Sequence, residues 1–87
     1  VDDTKLLEFP CRFPIKAFGE KGTGFEELLL GLVGKHVPEL GRDDLTRNVS
    51  RNGRYVSITA HITAQSQQQL DAIYQDLSDH DAVLMAL

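Results

Sequence analysis

Three histidines and a single cysteine are the side chains best suited to hold a metal or attack a substrate, and their spacing serves neither task. His36, His61 and His80 are scattered along the chain, and no pair has the helical or hairpin spacing that a Zn²⁺ site uses. Each is read as structural: His36 at the inner boundary of a helix, His61 on a sheet face, and His80 in a turn between Asp79 and Asp81. One cysteine excludes an internal disulfide and every paired-cysteine zinc motif. A reactive thiolate needs a cation or a helix N-terminus beside it. Arg12 follows Cys11, but neighbours on a strand point to opposite faces, so Cys11 reads as a small filler. No Ser-His-Asp or Cys-His constellation is available. The reading is of a non-enzymatic chain, with no catalytic residue, no metal and no cofactor.

The glycine-rich stretch GEKGTGF at 19–25 offers one cation, Lys21, beside Glu20. It reads as a flexible turn into a helix whose N-terminus would attract an anion only weakly. Glu26 and Glu27 fall in that helix's first turn, where negative charge complements the dipole without any catalytic role. Arg42, Arg47, Arg51 and Arg54 concentrate positive charge around one hairpin. Contacts to nucleic acid, were they made, would come from Arg47, Arg51 and Arg54.

The elements that must position these groups follow from hydrophobic period. Phe9-Pro10 and Phe13-Pro14 bracket the start of a strand in which Phe13, Ile15 and Ala17 alternate with Pro14, Lys16 and Phe18. Pro14 donates no ladder hydrogen bond, so it belongs near the strand's beginning or where its nitrogen faces no partner. Thr23 and Glu26 are spaced as a capping box. Phe25, Leu28, Leu29, Leu32, Val33, His36 and Val37 form one face of an amphipathic helix that Pro38 ends. Leu45–Arg51 and Arg54–Ala64 read as strands joined by a type I′ turn at Asn52-Gly53. That turn sets Arg51 opposite Arg54, Val49 opposite Val56, Arg47 opposite Ile58 and Leu45 opposite Ala60. Ser66 and Gln69 form a second capping box before a helix carrying Leu70, Ile73, Tyr74 and Leu77. Asp81–Leu87 closes the chain as a strand, with Val83, Met85 and Leu87 on one side and Leu84 and Ala86 on the other.

The order β-α-β-β-α-β with right-handed crossovers predicts an α+β ferredoxin-like sandwich: a four-stranded antiparallel sheet, order 4-1-3-2, with both helices on one face. Arg47 then stands on the apolar side of an edge strand, where a long cation snorkels and discourages edge pairing. The other face is left uncovered, as an antiparallel sheet allows. By parity it carries Lys16, Phe18, Tyr55, Ser57, Thr59, His61, Leu84 and Ala86. The strip Phe18, Leu84 and Ala86 makes this face the candidate interaction surface. Acylphosphatases of this topology need an arginine in the loop after the first strand, and heavy-metal-binding domains need Cys-x-x-Cys there; this chain has neither. RNA-recognition motifs stack bases on outward aromatics of the third strand, where only Tyr55 is aromatic.

At 87 residues the chain is read as a leader at 1–8 followed by one domain at 9–87. Its net charge of −4 opposes non-specific binding to nucleic acid or anionic lipid. No apolar run approaches the ~18 residues that a membrane span requires. A lone cysteine suits a reducing, cytoplasmic compartment.

FPCRFPIKAFG at 9–19, KHVPEL at 35–40, SRNGRYVSITAHITA at 50–64, QLDAIYQDL at 69–77 and the closing VLMAL resemble the small bacterial YbeD-like family over nearly the whole chain. LMAL stands where that family's pattern has a bulkier ending. The resemblance implies a ferredoxin-like fold similar to ACT domains, which are regulatory modules that bind amino acids beside metabolic enzymes. It implies no established activity and carries over no binding residues. The expectation is therefore an ACT-like regulatory module that binds a small metabolite or a partner protein through its open face. A homodimer is compatible with this reading, and nucleic acid is the alternative ligand.

Overall fold

A computed structural model describes residues 7–87; the expected leader at 1–8 lies mostly outside the described residues. The strands are β1 (Cys11–Glu20), β2 (Leu45–Val49), β3 (Tyr55–Ala64) and β4 (Met85–Ala86), and the helices are α1 (Phe25–Gly34) and α2 (Gln67–Asp79). The sheet order is β2-β3-β1-β4 with antiparallel pairing throughout, the expected 4-1-3-2 arrangement. The fold is ferredoxin-like.

Alternation on β3 decides which way the sheet faces. Val56, Ile58, Ala60, Ile62 and Ala64 are buried, whereas Thr59, His61 and Thr63 between them are only partly covered. The first set joins Ile15 and Ala17 of β1, Phe25, Leu29 and Val33 of α1, and Leu70, Ile73 and Leu77 of α2 in one core cluster. Both helices thus cover the same side. Full burial of each Ile or Leu contributes roughly 1.5–3 kcal/mol.

Pro14 sits inside β1 rather than at its start. Lys16 exchanges both backbone hydrogen bonds with Leu87, so even-numbered residues of β1 turn their amides toward the β4 edge. At Pro14 that edge has already ended, and the missing N–H forfeits nothing.

Helix α1 ends at Gly34, three residues short of the expected Val37. The final turn tightens, with the His36 N–H donating to the Val33 carbonyl. Proline at 38 disfavours helical geometry in the residue before it. Val37 still reaches the core, at 1% exposure.

Three local expectations are corrected. Thr23 does not cap α1: Gly24, at φ 73°, is the N-cap, and the Thr23 hydroxyl donates to the Glu20 carbonyl. Ser66 does cap α2, accepting the Gln69 N–H at 3.1 Å, but the Gln69 side chain reaches back one residue further, to the Gln65 N–H. The hairpin register is as expected from Leu45–Ala60 to Val49–Val56, but the turn is longer than two residues. The Gly53 N–H donates to the Ser50 carbonyl, which makes Arg51 and Asn52 the central residues, and Gly53 follows at φ 73°. The Ser50 hydroxyl then accepts the N–H groups of Arg54 and Tyr55. Arg51 and Arg54 therefore lie in the loop and not opposite one another in the ladder.

Candidate functional site

Among the described residues no element covers the second side of the sheet, which is built from even positions of β1 and β2 and odd positions of β3. Ladder pairing arranges them in rows. Thr63 pairs with Arg12, His61 with Pro14, Thr59 with both Thr46 and Lys16, Ser57 with both Asn48 and Phe18, and Tyr55 with Glu20. On the β4 side, Met85 pairs with Phe18, and Leu87 stands opposite Lys16 through their paired backbone hydrogen bonds. Lys16, Phe18, Tyr55, Ser57, Thr59 and His61 all lie where parity puts them.

The last strand departs from parity. Ala86 pairs with Ala17 on the helix side, and Met85, expected inside, lies on the open side opposite Phe18. The cause is local: the Leu84 N–H donates to the Phe18 carbonyl although Met85 is Phe18's ladder partner, so two residues oppose one, as in a β-bulge. Val83 and Ala86 both pack on the core, and Leu84 and Met85 between them are more than half exposed. Leu84 lines a hollow of ≈ 200 Å³ with Glu20, Thr23, Asp81 and Ala82. Two carboxylates at that hollow make the loop after β1 a poor host for an anion.

Chemically, the open face divides into two halves. Phe18 on β1, Met85 (55% exposed) and Leu87 (61%) on the β4 side and Tyr55 (38%) at the start of β3 supply apolar surface, with the buried Ser57 opposite Phe18. A hollow of ≈ 130 Å³ lies beside Phe18, Tyr55 and Ser57. That volume is below the range of pockets that enclose drug-sized ligands, so the face is a platform. The other half is polar and basic. The Lys16 ammonium lies 5.4 Å from the Phe18 ring centroid, a cation–π arrangement. The Arg12 guanidinium donates to Thr63 Oγ1 at 3.0 Å and to the His61 carbonyl at 3.3 Å. His61 Nε2 and Thr46 Oγ1 are 3.1 Å apart. Sequence reading began the strand at Phe13 and so missed Arg12; carrying the same alternation two residues back places it here.

The hairpin arginines do not converge. Arg47 pairs with Ile58, which puts it on the helix side of the β2 edge. Arg51 is at the turn, and Arg54 leans over the Tyr55 ring at 5.8 Å. Arg42 is engaged elsewhere, in ion pairs with Glu26 (3.3 Å) and Glu27 at the start of α1.

His36 and His80 serve the scaffold. His36 Nε2 and Lys35 Nζ meet the same Asp76 carboxylate oxygen at 2.7 and 3.0 Å, joining the end of α1 to α2. These hydrogen bonds, the one from His36 first, hold the Asp76 carboxyl below the usual carboxylate range. Gln69 reinforces the junction by donating to the His36 carbonyl at 2.9 Å. His80 Nδ1 accepts the Ala82 N–H. Tyr74 donates to the Leu87 carbonyl oxygen at 2.7 Å, and burial pushes its phenol up. Cys11 is a free, partly buried thiol packed against the core. Among the described residues no three His, Cys, Asp or Glu side chains are grouped to hold an ion, and no helix is long and apolar enough to cross a membrane.

Residues 4–87 match the family described as proteins of unknown function, DUF493. The chain belongs to that family. Among DUF493-type relatives, a UPF0250 protein of Nitrosomonas europaea is 42% identical over 85 residues, 98% of each chain. One from Chromobacterium violaceum is 42% identical over 83 residues, covering 95% of this chain and 93% of the relative. These are the YbeD-like proteins that the sequence motifs resemble. The solution structure of protein HP0495 from H. pylori has the same fold, with a TM-score of 0.75 and 19% identity over 98% of this chain and 91% of that one.

Proposed function

We propose that this DUF493 protein is a non-enzymatic, cytoplasmic regulatory module that binds a small molecule or a partner protein on its open sheet face. One observation carries the reading: Phe18 and Met85 face each other across β1 and β4 on the uncovered side, with Leu87 and Tyr55 beside them. A sheet that covers one face with two helices and leaves aromatic and thioether surface on the other has a patch that water solvates poorly. The implied likeness to ACT domains supports a regulatory role. Scattered histidines and a lone thiol within the core boundary support the absence of catalysis.

The test is affinity capture from cell extract, with mass spectrometry of retained proteins and metabolites, run in parallel on the Phe18→Ser and Met85→Ser variants. Retention that disappears in both variants, while melting is unchanged, supports the reading. Retention that survives both but falls steeply between about 50 and 200 mM salt, and is lost on Arg51→Ala with Arg54→Ala, transfers the function to nucleic acid through the hairpin.

A further inference from the structure

Among the described residues, β2 has β3 on one side and no strand on the other. Ladder alternation tells which backbone groups this leaves unpaired. The Ser50 N–H donates to the Tyr55 carbonyl, so the β2 residues that bond to β3 are those in step with Ser50, namely Thr46 and Asn48. The β1 side agrees. The Lys21 N–H donates to the Arg54 carbonyl, so even-numbered residues of β3 bond to β1 and odd-numbered ones, Ser57 and Thr59 among them, bond to β2. Leu45, Arg47 and Val49 therefore turn both their N–H and their C=O groups outward. Thr46, Arg47, Asn48 and Val49 are all exposed, so among the described residues nothing covers this edge. An uncovered edge of this kind is a template for a further strand. The opposite edge is a poorer one, because β4 is two residues long.

Charge decides which strand the edge accepts. Residues 45–70 carry Arg47, Arg51 and Arg54 and no Asp or Glu, in a chain of net charge −4. Arg47 is central in β2, and Arg51 stands at the turn that follows it. Carboxylates of neighbouring elements are already engaged: Arg42 holds Glu26 and Glu27, and Asp44 Oδ2 accepts the Gly41 N–H at 3.0 Å. Among the described residues Arg47 has no ion-pair partner. A second copy of this edge brings further arginines and no acid, and like charges on paired strands repel. An acidic strand instead meets a cation across the pairing. Leu45 and Val49 flank Arg47 on the same side of the sheet, since their partners Ala60 and Val56 flank Ile58. The complementary strand thus carries an acid between two apolar residues at alternate positions.

We infer that the β2 edge accepts an extended acidic segment of a partner protein as a fifth strand, with a carboxylate opposite Arg47 and apolar side chains opposite Leu45 and Val49. The backbone groups of Leu45, Arg47 and Val49 supply the hydrogen bonds, and Arg47 selects the charge. This surface is the rim of the sheet. It goes beyond the open-face reading and does not depend on it.

The experiment is a titration of amide chemical shifts with the peptide acetyl-Glu-Ser-Val-Thr-Glu-Thr-Val-amide. In antiparallel register its second glutamate falls opposite Arg47 and its valines opposite Val49 and Leu45. Expected are shifts centred on residues 45–49. Glutamine in place of both glutamates should weaken binding about fivefold, and Arg47→Gln should weaken binding of the acidic peptide about threefold. N-methylation of the second glutamate, whose N–H faces the edge, should weaken binding about tenfold or more. N-methylation of the threonine before it, whose N–H faces away, should change little. Phe18→Ser should leave peptide binding unchanged. Equal affinity for the glutamate and glutamine peptides overturns the acidic partner. Equal affinity for the two N-methylated peptides overturns strand addition. Concentration-dependent self-association that shifts residues 45–49 overturns the inference in favour of a second copy. Tighter binding of a single-stranded oligonucleotide than of the peptide at residues 45–54 overturns it in favour of nucleic acid. Peptide shifts confined to Phe18, Met85 and Leu87 overturn it while leaving the open-face reading standing.

Discussion

Gly19 lies beneath the ring of Phe25. A β-carbon added to Gly19 would stand 2.6 Å from the ring's Cγ and Cε1. Gly19 occupies an inward position of β1 opposite Val56, and Phe25 opens α1 at 3% exposure. The pair packs the first residue of α1 directly against the end of β1.

Gly19→Ala should therefore destabilise the fold by about 1–3 kcal/mol through overpacking. Gly31→Ala, at an exposed helical position with open space around its α-carbon, should stabilise by up to about 1 kcal/mol. Urea denaturation of the two variants checks both signs.

Among the described residues, Ser66 caps α2 with its side chain, whereas α1 has no side-chain cap. Ser66→Ala should cost about 1 kcal/mol. Thr23→Ala, whose hydroxyl caps nothing on α1, should cost less than the Ser66 change in the same denaturation series.

The Asp76 carboxylate gives the protein an acid-sensitive contact. Its folded-state pKa is depressed by hydrogen bonds from His36 and then Lys35. A depressed carboxyl contributes stability that is present above its ordinary range and lost as pH falls through the folded value. Stability should fall as pH drops below about 4, and Asp76→Asn should flatten that limb of the curve. Melting temperatures at a series of pH values compare the two proteins.

Ile58 and Thr59 are neighbours on β3 with opposite fates, the first fully buried and the second on the open face. Ile58→Ala should cost about 2–5 kcal/mol. Thr59→Ala should stay within about 1 kcal/mol of the unaltered protein in the same urea series.

Much of this arrangement was legible in residue order. The period-two run from Tyr55 to Ala64, and the turn residues before it, give the hairpin register and the identity of the buried face. Aliphatic spacing at 25–37 and 70–77 gives both helices. What escaped sequence reading has local causes. The Ser50 hydroxyl gathers the N–H groups of Arg54 and Tyr55, and this side-chain bond lengthens a turn that Asn52-Gly53 would otherwise close in two residues. At the other edge, doubling of Leu84 and Met85 against Phe18 reverses the faces of the last strand, and no residue type announces it. Met85, the partner of Phe18 on the candidate surface, was hidden by that reversal. The Lys35–His36–Asp76 junction joins groups far apart in the chain and has no period to reveal it.

The open face is tested most directly by photo-crosslinking in living cells. A photoreactive residue is placed either at Thr59, in the middle of the uncovered sheet, or at Gln75, exposed on the outer side of α2. Intact-mass measurement reads protein and small-molecule adducts alike. An adduct at position 59 with none at 75 is the predicted result; an adduct at 75 with none at 59 contradicts the account.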